Sequence, residues 1–223
     1  MKAIVYDAVG TLLHVNPSVA AIYADVGRRF GSRRQESDVR RRFAAAFERQ
    51  EQLDREIGWR TDEARELRRW RDIVAEVLDD VADPDACFQT LFDAFGRPDA
   101  WTCDADAAAV IAAIQTSGVA QAVASNFDAR LRGLLGAFAP LRGLTPIVIS
   151  SDVGWRKPAA EFFDHLLGAL QLPADEVLFV GDDRGNDYDA ARLAGMQAIL
   201  LDPRKKHLDV AHRVERLRDV IAS

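Results

Sequence analysis

The chain runs to 223 residues, 48% of them hydrophobic, with a net charge of −6 and a pI near 5.3. That is enough apolar material for one sizeable core plus an appended subdomain, and no stretch approaches the ~18 apolar residues of a membrane span. The acidic balance argues against nucleic acid as the main partner, because phosphate backbones are held by a basic face.

Taken in chain order, the first strand occupies residues 2 to 7 and ends on Asp7, just before a turn at Gly10. No basic n-region, long apolar run or small-residue cleavage site is visible, so a cytoplasmic protein is expected. From about Pro17 to Phe95 the pattern turns helical and rich in charge. Val19, Ile22, Tyr23, Val26 and Phe30 recur at helical spacing, with Asn16 as the expected N-cap and Gly31 as the stop. A second helix is expected over 37–57, a third from Thr61 with Asp62 and Glu63 suited to the helix dipole, and a fourth from Asp83-Pro84 to Gly96. Four helices without a strand read as an inserted cap over 16–96, which leaves 1–15 and 97–223 as the core. The arginine runs at 28–29, 33–34 and 40–42 are interspersed with Asp and Glu, which favours a solvated helix face over a patch for a substrate anion. Trp59 and Trp70 read as cap core rather than as a binding platform. Cys87 and Cys103 lack metal-ligand spacing and read as free thiols.

From Trp101 onward strands and helices alternate: helix 104–116, strand 119–125, helix 128–136, strand 145–149, helix 158–170, strand 176–181, helix 187–194, strand 197–201 and a final helix from about 207. This is an α/β layout with a mainly parallel sheet flanked by helices. Ligands of such sheets sit at the carboxyl ends of the strands. Four apolar runs end on polar groups: Asp7; Ser125-Asn126; Arg156-Lys157, after the run from Ile147 to Trp155; and Asp182-Asp183 with Asp187.

Together these groups make a coherent chemical set. Clustered carboxylates repel one another unless a cation sits among them. Mg²⁺ fits best, since it takes hard oxygen ligands, uses one or two carboxylates and keeps positions for water and a substrate phosphate. In this reading Asp7 attacks phosphorus, Mg²⁺ and Lys157 neutralise charge, and the Ser125 hydroxyl donates a hydrogen bond to the phosphoryl oxygens. The bland alternatives are an ordinary strand-end hydroxyl for Ser125 and helix caps for Asp182 and Asp187.

The residues Asp7-Ala8-Val9-Gly10-Thr11, Ala122-Val123-Ala124-Ser125-Asn126, Lys157-Pro158 and Val180-Gly181-Asp182-Asp183 with Asn186-Asp187 resemble, in order and spacing, the four motifs of the haloacid dehalogenase-like (HAD) hydrolases. Ser125-Asn126-Phe127-Asp128 and Gly154-Trp155-Arg156-Lys157-Pro158 are similar, more narrowly, to the REG-2-like, or HAD-domain-containing protein 3-like, branch. The resemblance covers the whole chain. It implies a Rossmann-like core with a helical C1 cap, a small phosphorylated metabolite as substrate, and an aspartyl-phosphate intermediate. It implies Asp7 as nucleophile and metal ligand, with the Val9 backbone carbonyl and Asp182 as the other protein ligands of Mg²⁺. Lys157 would fix Asp7 and the phosphate, with Ser125 beside them, and Asn126, Gly10 and Thr11 would contact substrate. Asp187 would partner Lys157 or a metal-bound water, and Asp183 would be an alternative ligand.

The departure is Val9. Phosphatases of the family carry a second Asp there, which protonates the leaving group and later activates water, a contribution of ~10²–10⁴ in rate. Dehalogenases of the family lack that Asp, but they also dispense with Mg²⁺, whereas Gly181-Asp182-Asp183 points to a metal. Phosphonatases use a cap lysine for a Schiff base. The lysines here are Lys2, Lys157, Lys205 and Lys206, none in the cap, so that chemistry is rejected. His14 is the nearest titratable group to stand in for the acid, and a hinge or surface role suits it better. Three readings remain: slow phosphatase or acyl-phosphate hydrolysis with a good leaving group, a non-phosphate reaction such as dehalogenation, and a non-catalytic binding or regulatory protein on the same scaffold.

Overall fold

The computed structural model describes residues 1–221. The expected core segment 97–223 therefore runs two residues past the described part.

Strand β1 (Ala3–Tyr6) sets the layers, because its side chains alternate between two apolar clusters: Ile4 and Tyr6 enter one, Ala3 and Val5 the other. After Asp7 the chain turns at Gly10, in the left-handed region at φ +95°, into β2 (Leu13–Val15). Four helices follow: α1 (Val19–Arg29), α2 (Glu36–Glu56), α3 (Glu63–Val77) and α4 (Pro84–Phe95). Three of them are capped by side chains. The Ser18 hydroxyl, not Asn16, accepts from the Ala21 amide; Asp62 accepts from Arg65 and Asp83 from Ala86. The helices share a cluster of their own, with Tyr23, Val39, Ile73, Val77, Phe88 and Leu91 buried together. Strand β3 (Trp101–Cys103) then pairs antiparallel with β2, so two short strands carry the chain out to these helices and back.

The alternating half follows as α5 (Ala107–Thr116), β4 (Ala120–Ser125), α6 (Arg130–Ala137), β5 (Ile147–Ile149), α7 (Ser150–Val153), α8 (Ala160–Leu170), β6 (Val177–Gly181), a π-helical turn (Arg184–Asp189), α9 (Ala190–Leu193), β7 (Gln197–Leu201) and β8 (Arg213–Val214). Six strands form one parallel sheet in the order β5-β4-β1-β6-β7-β8. Leu131 and Leu134 of α6 and Val110 and Ile114 of α5 cover one face; Phe162, Phe163 and Leu166 of α8 cover the other. With both faces covered, the strands read as near-continuous apolar runs. The sheet grows from β1 through β4 in one direction and through β6 in the other. The carboxyl end of β1 is thus the topological switch point where parallel sheets open a crevice.

The strand expected at 145–149 ends at Ile149 as β5, and α7 then ends on Gly154 at φ +91° before the loop that carries Arg156 and Lys157. Two local expectations are corrected. The expected helix at 187–194 begins earlier, as the π-helical turn capped by Asp183. The final helix expected from about 207 does not form among the described residues. Asp202 accepts from the amides of Lys206 and His207, and the chain is then drawn onto β7 as edge strand β8, where Leu200 donates to His212 and Asp202 to Val214. Sheet pairing there outweighs a weak helical pattern, and only a short 3₁₀ turn at Leu217–Ile221 remains.

Candidate active site

The floor of the site is made by the ends of β1, β4 and β6 and the loop after α7. Asp7 accepts a hydrogen bond from Ser125 Oγ at 3.1 Å and from Lys157 Nζ at 2.8 Å, both on Oδ1. Lys157 is 2% exposed, and its ammonium also donates to Asp187 Oδ1 at 2.5 Å and to the Ala124 carbonyl at 3.1 Å, so its three N–H groups are all engaged. Burial opposes its charge, but Asp187 and Asp7 outweigh that and raise its pKa. Lys157 therefore stays cationic. Its backbone is held in turn by Asn126, whose Nδ2 donates to the Lys157 carbonyl at 2.9 Å and whose Oδ1 accepts the Lys157 amide at 2.8 Å.

Oxygens of Asp7, Asp182 and Asp187 lie within 4.8 Å of one another. Two glycines permit this crowding: a Cβ at Gly10 would overlap the Asp182 carboxylate, and one at Gly181 would overlap Asp187. Loss of solvent around its carboxylate, then the charges of Asp7 and Asp187, pushes Asp182 up to about 8 although much of the residue is exposed. Burial likewise lifts Asp187 to about 7 against the pull of Lys157. A cluster that resists ionisation in this way fits a hard divalent cation, which would favour the charged forms of Asp182 and Asp187.

Above the floor lies a cavity of about 320 Å³ whose wall includes Tyr23, Phe43, Phe47, Trp70, Phe92 and Phe127. Glu51, Glu66 and Arg156 also reach it, as part of a second ionic cluster. Arg156 inserts between α2 and α3, pairing with Glu66 and lying 3.5 Å from both Glu51 and Asp54. Arg69 pairs with Asp54 and with Glu51 (2.6 Å), Arg65 pairs with Asp54 (2.6 Å), and Thr61 Oγ1 donates to Glu66 at 2.7 Å. A backbone bridge between Arg60 and Trp155, with Arg156 N donating to the Trp59 carbonyl at 2.8 Å, ties the same loops together.

The structure thus gathers Asp7, Ser125, Asn126, Lys157, Asp182 and Asp187 on one floor, with Val9 and Asp183 also on the cavity wall. Asp183 stands apart from the acidic cluster: its Oδ1 accepts the Asn186 amide at 2.8 Å, and its own amide donates to Asp187 at 3.0 Å. Gly10 backs Asp182 rather than lining the cavity, and Thr11 is fully buried away from it, with no partner for Oγ1 among the described residues. His14 of β2 also lies outside the cavity, its Nε2 3.0 Å from Asp104, the residue after β3.

A model of the haloacid dehalogenase-like hydrolase family matches residues 1–195. The chain belongs to that family. It is 30% identical over 218 residues to haloacid dehalogenase-like hydrolase domain-containing protein 3 of Danio rerio, covering 94% of this chain and 90% of the relative. It is similar in structure to magnesium-bound HAD-hydrolase YfnB from Bacillus subtilis, at 18% identity and TM-score 0.76 over 99% of this chain and 97% of the other. It is equally similar to L-2-haloacid dehalogenase from Xanthobacter autotrophicus, at 19% identity and TM-score 0.76 over 99% and 96%. At such identities the likeness speaks for the fold alone.

Sequence reasoning about this HAD hydrolase missed the cavity wall. Trp70, expected to be cap core only, packs on that core and also reaches the cavity. Arg156 was visible as a charge at a run's end, yet its partners sit on two other helices and no local spacing marks them. The expectation for the arginine runs is met: Arg28 and Arg29 pair with Asp25, Arg40 with Glu36, Arg41 with Asp38, and Arg34 and Arg42 with Asp79.

Proposed function

We propose that this HAD hydrolase is a Mg²⁺-dependent phosphatase of small phosphorylated molecules, working through phosphorylation of Asp7. Residues 16–96 act as a cap over a core formed by 1–15 and 97–223. The observation that carries the reading is the floor itself: a strand-end carboxylate held by a serine hydroxyl and a buried ammonium, beside two further acids that share too little positive charge.

Asp7 and Asp182, with the Val9 carbonyl, would hold the cation, which supplies charge neutralisation for the carboxylates and the phosphoryl group. Lys157 holds the Asp7 carboxylate in place and offsets its charge, and Ser125 fixes the same oxygen. Asp187 positions Lys157 through one oxygen and the Asp183 amide through the other. Asn126 sets the height of Lys157 above the floor through its backbone clamp.

Phosphate release from a panel of phosphomonoesters and acyl phosphates should require Mg²⁺ and fall by about 10⁴-fold or more in Asp7→Asn, as expected on loss of a nucleophile. Turnover that survives the substitution, or none on any phosphate, would sink the reading. The dehalogenase alternative draws on the apolar residue at position 9. Metal-independent halide release from a 2-haloacid would favour it instead.

A further inference from the structure

This inference rests on the phosphatase reading and concerns what the phosphate is attached to. The cavity facing Asp7 holds about 320 Å³, equal to some ten waters at ~30 Å³ each. That admits a phosphoryl group and one ring or short branched chain.

The charged groups on its upper wall are already committed. Arg130 donates to both oxygens of Asp128 at 2.8 and 2.6 Å and to the Phe92 carbonyl, with its guanidinium over the Phe92 ring. Arg156 is held by Glu66, Glu51 and Asp54. No lysine occurs between Lys2 and Lys157. Among the described residues, no free cation is therefore left on the upper wall for a second anionic group such as a carboxylate. What remains exposed to the ligand is aromatic and aliphatic: Tyr23, Phe43, Phe47, Trp70, Val74 and Phe127.

The proton donors are equally committed. Val9 occupies the place beside Asp7 and transfers no proton. Burial opposes ionisation of Glu66, but Arg156, the Thr61 hydroxyl and Arg69 hold its carboxyl below the ordinary value. Glu51 is paired with Arg69, and Asp183 caps the π-helical turn. Burial raises the Tyr23 phenol far above neutrality. Outside the acidic cluster of the floor, nothing on the cavity wall is free to protonate a departing oxygen.

We propose that the substrate carries one phosphate on an apolar, ring-sized group whose leaving oxygen is stable as an anion: an aryl phosphate or the acyl phosphate of an apolar acid. An Asp7 oxygen bonds to phosphorus as the bond from phosphorus to the leaving oxygen breaks. The leaving oxygen takes the electron pair and departs as phenolate or carboxylate without a proton. Water then attacks phosphorus, the Asp7 carboxylate is released, and both protons of that water stay with the phosphate until solvent takes the excess.

The test uses the full chain with Mg²⁺ and five substrates: phenyl, cyclohexyl, benzoyl and acetyl phosphate, and phosphoserine. In kcat/KM, benzoyl should exceed acetyl phosphate by about 10-fold or more, the discrimination an apolar pocket gives. Phenyl should exceed cyclohexyl phosphate by about 100-fold, the size of a missing general acid. Phosphoserine should not turn over. Whichever of the phenyl and benzoyl arms is faster identifies the aryl or the acyl class. Trp70→Ala should shrink the ratio of benzoyl to acetyl phosphate, a readout that a general folding defect leaves in place. Val9→Asp should lift cyclohexyl phosphate by about 10² or more. Phosphoserine or acetyl phosphate matching the apolar substrates overturns the proposed class while leaving the phosphatase reading intact. No phosphate release from any substrate overturns both.

Discussion

Two ionic clusters line one cavity and are built on opposite principles. On the floor, the carboxyl groups of Asp7, Asp182 and Asp187 share a single ammonium, Lys157, so ionising all three would leave two negative charges unmatched. Between α2, α3 and the loop after α7, Glu51, Asp54 and Glu66 face Arg65, Arg69 and Arg156, one guanidinium for each carboxylate. The second cluster is electrically balanced and ties α2 and α3 to the loop after α7. The first is incomplete, and a divalent cation is what would complete it. Burial alone thus does not mark a functional charge cluster, whereas a charge imbalance held in place by glycine contacts does.

The largest expected effect comes from breaking the balanced cluster. Arg69 is fully buried among Asp54, Glu51 and the Phe47 ring. Arg69→Met should lower unfolding stability by about 3–5 kcal/mol, because it leaves three carboxylates facing two guanidiniums, with one buried negative charge unmatched. Urea denaturation at neutral pH measures this, and pairing the change with Asp54→Asn should restore part of the loss. A loss below about 1 kcal/mol would mean that solvent reaches the cluster and that it behaves as a surface pair.

Removing a charge from the floor should act with the opposite sign. In metal-free protein Asp182→Asn relieves repulsion with Asp7 and Asp187, so thermal stability at pH 8 should rise while the stabilisation by added Mg²⁺ disappears. Thermal melts with EDTA and with Mg²⁺ separate the two effects. A variant that melts lower without metal and keeps the full Mg²⁺ shift would place the cation elsewhere.

Much of this arrangement was legible in the sequence, for a physical reason. Asp7, Ser125, Lys157 and Asp182 each follow an apolar run or sit a fixed few residues past it, and parallel strands deliver their carboxyl ends to one edge. The four helices α1 to α4 were equally visible through their period and the Asp62 and Asp83 N-caps. What stayed hidden depends on contacts between distant segments. Trp70 and Phe127 meet at the cavity only because α3 packs on α7 and on the loop after β4, and the partners of Arg156 lie 90 or more residues away at Glu66, Asp54 and Glu51. The missing C-terminal helix has the same origin, since an edge-strand pairing with β7 cannot be read from local periodicity.

The imbalance on the floor also predicts a pH dependence. Asp182 and Asp187 keep protons in the metal-free folded state up to about 8 and about 7, whereas an unfolded Asp loses its proton near ~3.9. Between those limits the folded state binds more protons than the unfolded state, so stability is greatest at the acid end and declines as pH rises. The carboxylates whose pKa is lowered, among them Glu66, Asp79 and Asp106, contribute in the opposite sense but below the ordinary carboxylate range. The midpoint of thermal unfolding in EDTA should therefore fall from pH 5 to pH 8.5, and saturating Mg²⁺ should flatten the decline. A metal-free midpoint that is flat or climbs over this range would show that the three acids do not share one site.

The smallest effect belongs to a third set of ion pairs, which separates burial from pairing as such. Arg40 with Glu36 and Arg41 with Asp38 are spaced along one exposed face of α2, with both arginine side chains at least 70% accessible. An exposed helix pair of this spacing contributes about 0.3–0.5 kcal/mol, because water and salt already screen both charges. Arg40→Ala with Arg41→Ala should therefore shift stability by less than about 1 kcal/mol and leave kcat/KM unchanged, since neither residue borders the cavity. The small shift should vanish at high salt, where the loss in Arg69→Met persists, because ions in solution screen an exposed pair but do not enter a buried one. A double variant that lost activity would revive the arginine runs as an anion patch and would put part of the substrate outside the aromatic cavity.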